Sequence, residues 1–174
     1  MLRNRKLTLT HALFFLYCLF IVWTVVFKSP FTFREILEMF QSGRPRSLNL
    51  IPFYYDCDVS IRFHINEVLL NALLFFPFGV YLKMLDTPTR RAVLTGFLFS
   101  LTMEFCQFAF ALGACDITDL ITNTAGTAAG VLLYHLALLL FKDRWKLHKI
   151  LRILASSATV LLGILILMLF LGNY

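Results

Sequence analysis

The sequence predicts an all-α fold: an integral membrane bundle of five transmembrane helices plus a short interfacial helix in the first outer loop. Two observations carry that class. Of the 174 residues, 59% are apolar and 15% charged, whereas soluble domains run at about 45–50% and about 25%. The apolar residues also gather into five runs. Each is long enough for a helix rising ~1.5 Å per residue to cross ~30 Å of hydrocarbon. Charge this sparse cannot solvate a surface. A soluble globule, a disordered chain and a secreted disulfide scaffold are therefore poor fits.

The runs lie at about 10–28, 65–85, 91–112, 117–141 and 150–171. The first follows Arg3, Arg5 and Lys6, as a signal peptide would. No A-x-A cleavage site follows, however, and Pro30 after Ser29 is a poor cleavage context, so a retained helix is expected. In the first long loop, Thr32 and Glu35 form a capping box. Phe33, Ile36, Leu37 and Phe40 then recur on one helical face, and Gly43 fits a helix stop. A short helix at about 33–42 is expected, lying in the interface or packed on the bundle. Residues 44–60 show little periodicity. No repeat, low-complexity tract or linker appears, so residues 1–174 form one membrane domain.

The net charge is +6, and in a membrane protein it reads as topology. The N-terminal tail, the turn between the second and third runs, and the turn between the fourth and fifth hold 11 of the 16 basic residues. Those segments belong on the cytoplasmic side. The N-terminus is then cytoplasmic and the C-terminus outside. Residues 29–64 and the turn near Gly113 face out. No basic stripe interleaves with aromatic residues, so nucleic acid is not an expected partner. Nothing in the sequence reads out an oligomeric state.

An ionisable group deep in a span costs roughly 2.5–3.5 kcal/mol on insertion scales, which makes each one a functional candidate. Glu104 and Gln107 share one face of the third span. Asp116, Asp119 and Asn123 share a stripe on the fourth, continued by Gly126, Thr127 and Gly130, a small-residue seam for close helix approach. The second span adds Glu67 and Asn71 near its outer end. Polar groups on three helices therefore converge at similar depth. Packing alone can use such groups, and so can a shared pocket. The third and fourth spans are antiparallel about a turn near 113–116. Glu104 should then come within hydrogen-bonding reach of the fourth helix near Asp119 or Asn123.

Three carboxylates (Glu104, Asp116 and Asp119) would suit a hard cation. No calcium loop or ligand-spaced His pair accompanies them, so no metal and no cofactor is assigned. No nucleophile-elbow, P-loop or zinc-protease motif is present.

Read in order, the polar pieces resemble the VanZ-like family of bacterial membrane proteins. They are Asn49-Leu50-Ile51-Pro52-Phe53, Asn71-Ala72-Leu73-Leu74-Phe75-Phe76-Pro77-Phe78-Gly79, Glu104-Phe105-Cys106-Gln107, and the stretch from Asp116 through Asp119 and Asn123 to Gly126 and Gly130. The resemblance covers about residues 46–134. It implies a plasma-membrane protein linked to resistance against teicoplanin, a lipoglycopeptide that binds cell-wall precursors. It implies no established mechanism. Many members carry an Arg after a Gly just before the aspartates. Here Gly113 is followed by Ala114 and Cys115; if that Arg binds an anion in other members, this chain uses Arg46 or Arg62 or lacks the function.

Two functions from different classes fit these residues. One is a binding protein of the cell envelope. Its outward polar pocket, built from Asn49, Asn71, Glu104, Gln107, Asp116, Asp119 and Asn123, would hold a membrane lipid, a lipid-linked wall precursor or the lipoglycopeptide. The other is a membrane-embedded enzyme acting on a lipid-linked substrate, with Glu104 or Asp119 as catalytic acid or base. Cys57 and Cys115 both fall on the outer side, either as two free thiols or as a disulfide stapling the loop over the pocket.

Overall fold

A computed structural model of the chain describes residues 2–27, 47–54, 61–112 and 114–172. Five helices dominate: α1 (Leu2–Phe27), α2 (Ile61–Met84), α3 (Thr89–Ala109), α4 (Ile117–Phe141) and α5 (Arg144–Gly172). Among the described residues, four stretches are long and apolar enough to cross a membrane: Thr8–Val26, Ile61–Met84, Thr89–Ala109 and Ile117–Phe141. Their faces carry many large exposed apolar side chains, such as Phe105, Leu139 and Leu140. In water such faces would be costly, and in hydrocarbon they are not. The expected interfacial helix at 33–42 and the thiol of Cys57 lie outside the described residues. Cys115 carries a free thiol.

The all-α class holds, with one short strand pair added. Ser47–Asn49 (β1) and Ala114–Asp116 (β2) pair in parallel, with Ser47 opposite Ala114 and Asn49 opposite Asp116. Three residues are too few for a periodic signal, so residues 44–60 looked irregular. A parallel pair needs a long crossover between its strands. Here the crossover is the α2–α3 hairpin, which leaves the strand pair and returns to it. The helix ends also run past the expected runs. α1 begins eight residues earlier than expected and α5 six residues earlier, because charged turns continue a helix beyond its apolar stretch.

As expected, α2, α3 and α4 form the heart of the bundle. α2 and α4 pack most closely, and glycines are the reason. A Cβ at Gly126 would collide with the Ala72 carbonyl, one at Gly130 with the Phe76 carbonyl, and one at Gly79 with the Thr127 carbonyl. Gly96 gives α3 the same access to the Thr127 side chain. With no hydrophobic drive between helices in lipid, this contact of backbones supplies much of the packing energy.

Aromatic rings bind α1 and α3 to the α2 face. Phe78 stacks on Phe99 with centroids 5.0 Å apart, and Phe14 meets both Phe78 and Tyr81. Pro77 lies inside α2, so it donates no bond to the preceding turn. Beside that gap, the Tyr17 hydroxyl donates to the Leu74 carbonyl at 2.5 Å.

The opposite end of the bundle carries the basic turns. α4 stops where Lys142 takes a left-handed conformation and its N–H bonds the Leu138 carbonyl. Asp143 then starts α5 by accepting from the amides of Trp145 and Lys146 at 2.9 and 3.3 Å. Thr89 and His135 join α3 to α4 at 3.0 Å, and Arg144 pairs with Asp86.

Candidate functional site

The strand-pair end of the bundle collects most of the polar residues singled out in the sequence, and the N-terminus of α4 organises them. A helix N-terminus leaves backbone N–H groups without helical partners and carries partial positive charge. Asp116 caps it, its Oδ1 accepting from the Thr118 amide at 2.7 Å. Glu104 reaches across from α3, and its Oε2 accepts from the Asp116 amide at 2.8 Å. Asp119 sits in the first turn of α4. Three acidic groups at this depth are tolerable because they share one positive helix end.

Two further carboxylate oxygens meet amides. Asn71 Nδ2 of α2 donates to Asp119 Oδ1 at 2.6 Å. Asn49 Nδ2 of β1 donates to Asp116 Oδ2 at 3.0 Å. The same Asn49 accepts the Ile51 amide on its Oδ1 at 3.2 Å, an Asx turn. A β-turn follows, closed by the Tyr54 amide on the Ile51 carbonyl at 3.3 Å. Pro52 suits its second position. Phe53, at its third, has φ 54°, a conformation that side chains other than glycine seldom take. The Phe53 amide donates to Thr118 Oγ1 at 3.0 Å. Every step of the Asn49–Phe53 motif thus serves to clamp the first long loop onto the α4 N-terminus.

Glu104 does reach α4, but a turn closer to the α3–α4 connection than expected. Asn123 bonds Ser100 Oγ at 2.9 Å instead. The shift follows from β2: an extended strand advances ~3.3 Å per residue against ~1.5 Å in a helix. It uses up distance that helical counting assigns to more residues. Gln107 faces elsewhere again. Its Nε2 donates to the Val25 carbonyl of α1 at 2.8 Å, so it ties α1 to α3. Ser100 and Thr118 were not singled out in the sequence, being too common in spans to stand out. Arg46 lies outside the described residues, and Arg62 is exposed.

The site divides by burial. Glu104 is 1% exposed, Gln107 and Asn123 0%, and Asp119 8%. Asn49, Asn71 and Asp116 are half-buried and form the rim. The amide oxygens of Gln107 and Asn123 are buried and accept nothing among the described residues. Burial together with the charges of Glu104, Asp116 and Asp119 raises the pKa of Cys115. The arrangement is rich in acceptors. It suits ligands that bring donors: ammonium, hydroxyl or amide N–H groups.

Comparison with known proteins places this architecture. The VanZ/LLP1 family model matches residues 14–142. Protein VanZ of Enterococcus faecium is 37% identical over 133 residues, which is 74% of this chain and 75% of that protein. The chain belongs to the VanZ/LLP1 family. No solved structure matches it. The VanZ/LLP1 match takes in α1 as well as the strand-pair end, so it extends beyond the stretch at 46–134 that carries the polar pieces.

Proposed function

We propose that this VanZ-family membrane protein is a binding protein of the bacterial cell envelope. It takes a lipid-linked wall precursor, or a lipoglycopeptide of the teicoplanin type, at the strand-pair end. The reading includes five membrane spans and an interfacial helix, with the N-terminus cytoplasmic and the C-terminus outside. The polar end then faces the compartment where wall precursors are displayed. One observation carries the proposal. Four separate segments (β1, α2, α3 and α4) bring Asn49, Asn71, Glu104, Asp116 and Asp119 together at one helix N-terminus. Packing alone does not require three carboxylates there. Peptide stems, sugar hydroxyls and ammonium groups supply the donors that such a site lacks.

A second reading, a membrane-embedded enzyme with Glu104 or Asp119 as acid or base, uses the same residues: the Asp116 amide takes one Glu104 oxygen and Asn71 one Asp119 oxygen, and each carboxylate has a second. The test is equilibrium binding to the purified protein in lipid nanodiscs. The probes are a lipid-linked wall precursor and teicoplanin with and without its acyl chain. At least one probe should bind above empty nanodiscs, and Asp119→Asn should weaken it by about tenfold, the loss of one charge-assisted hydrogen bond from the probe. Binding no better than to empty nanodiscs would sink the proposal. Turnover of the precursor by the wild type, lost in Glu104→Gln, would favour the enzyme reading.

A further inference from the structure

A second site stands well away from the carboxylates, toward the basic end. An apolar cavity of about 510 Å³ opens between α1, α2 and α5. Met84 and Leu151 line it near the basic turns, and Phe76 and Thr159 line it nearer mid-span. Of its three hydroxyls, Tyr17 donates to the Leu74 carbonyl and Thr159 to the Ala155 carbonyl at 2.8 Å, and Tyr81 supplies the third. The rest of the lining is hydrocarbon, as in a groove for an apolar chain. From Leu151 to Thr159 it runs about 12 Å along α5 at ~1.5 Å per residue. That is close to half of a ~30 Å hydrocarbon core, the depth of a single leaflet.

The groove has a charged mouth. Arg152 follows Leu151 directly and precedes Ala155 by three residues, at the border of the groove-lining stripe. It is half-buried. Its guanidinium lies 5.9 Å from the Trp145 ring centroid, and among the described residues it makes no ion pair. Lys149 is exposed one turn earlier. Arg144, by contrast, is already held by Asp86. The local field is positive enough that Arg144 and Arg152, after burial itself, hold the pKa of His148 below its usual value.

We propose that this groove holds one acyl chain of an anionic phospholipid whose phosphate sits at Arg152. Apolar walls one leaflet deep select a lipid chain. The cationic mouth, with one arginine that has no acidic partner among the described residues, selects a negative headgroup. The site is independent of the strand-pair end.

The experiment is native mass spectrometry of the detergent-purified full chain, titrated with phosphatidylglycerol or with phosphatidylcholine of the same acyl chains. The wild type should retain phosphatidylglycerol about fivefold more than phosphatidylcholine, the discrimination that one basic residue provides. Arg152→Gln should remove most of that preference and leave phosphatidylcholine retention unchanged. Ala155→Phe fills the groove and should reduce retention of both lipids, in protein that remains monodisperse on gel filtration. Equal retention of the two lipids by the wild type would overturn the proposal. So would unchanged phosphatidylglycerol retention in Arg152→Gln, which leaves the groove walls intact. Cross-linking between Ala155→Cys protomers that persists in excess phosphatidylglycerol would assign the groove to a second copy and overturn it as well.

Discussion

Asn49 shows how much one side chain can fix. Its oxygen holds the Ile51 amide and its nitrogen holds Asp116. Only an amide offers both an acceptor and a donor in this shape. Asn49→Asp would keep the turn but set a second carboxylate against Asp116. It should therefore destabilise the protein at neutral pH, and part of the loss should return as the pH is lowered and one carboxyl takes up a proton. Unfolding midpoints at pH 7.5 and pH 5 would check this. Asp116→Ala removes the cap of α4 and should cost about 0.5–2 kcal/mol, with Asp116→Asn milder because it still accepts from Thr118. Cys115 reports on the same carboxylates. With its pKa raised by burial and by its acidic neighbours, less thiolate exists at a given pH, and alkylation should be slow at pH 8. Glu104→Gln removes one negative charge and should speed it, as maleimide labelling rates would show.

At the scale of elements, the glycine seam separates two kinds of glycine. Gly130→Leu should prevent α2 and α4 from meeting and abolish the folded protein on gel filtration. Gly163→Ala, where a Cβ meets nothing within 4 Å, should leave it intact. The α4–α5 junction gives a pH dependence. His148 bonds the Tyr134 hydroxyl at 2.7 Å. Its folded pKa lies below the ordinary 6.5, so the unfolded chain takes up the proton first as the pH falls. Stability from this group is complete above about pH 6.5 and is lost as the pH drops toward the folded pKa. Wild type should lose more stability than His148→Gln between pH 7.5 and pH 5.5.

The helices were legible in the sequence because apolar length is a strong signal, and α4 begins and ends where its pattern does. Convergence of Glu104, Asp116, Asp119 and Asn71 was legible because buried charge is expensive and therefore rare. The strand pair was not, since its bonds join backbone groups 67 residues apart and three residues leave no period. Missing it shifted the α3–α4 register and gave Asn123 the wrong partner. Gln107 bonds α1 rather than α4, because sharing a helical face with Glu104 does not fix which neighbouring helix that face meets.

For the whole molecule, the proposed topology puts the basic turns and the polar end on opposite sides of the membrane. Single-cysteine variants at Ser47 and at Lys146, in a chain otherwise free of cysteine, should differ in intact cells. An impermeant thiol reagent should reach the first and miss the second until the membrane is broken. The reverse pattern would invert the topology.

The β1–β2 pair also has a meaning in time. A nascent chain grows at ~5–20 residues per second, so the 67 residues between Asn49 and Asp116 take roughly 3–13 seconds to emerge at that rate. Throughout that interval β1 is a strand without a mate, waiting while the α2–α3 hairpin is threaded into the bilayer. The clamp closes only once both of those helices have been delivered. A chain that stops before residue 114 therefore lacks the clamp altogether.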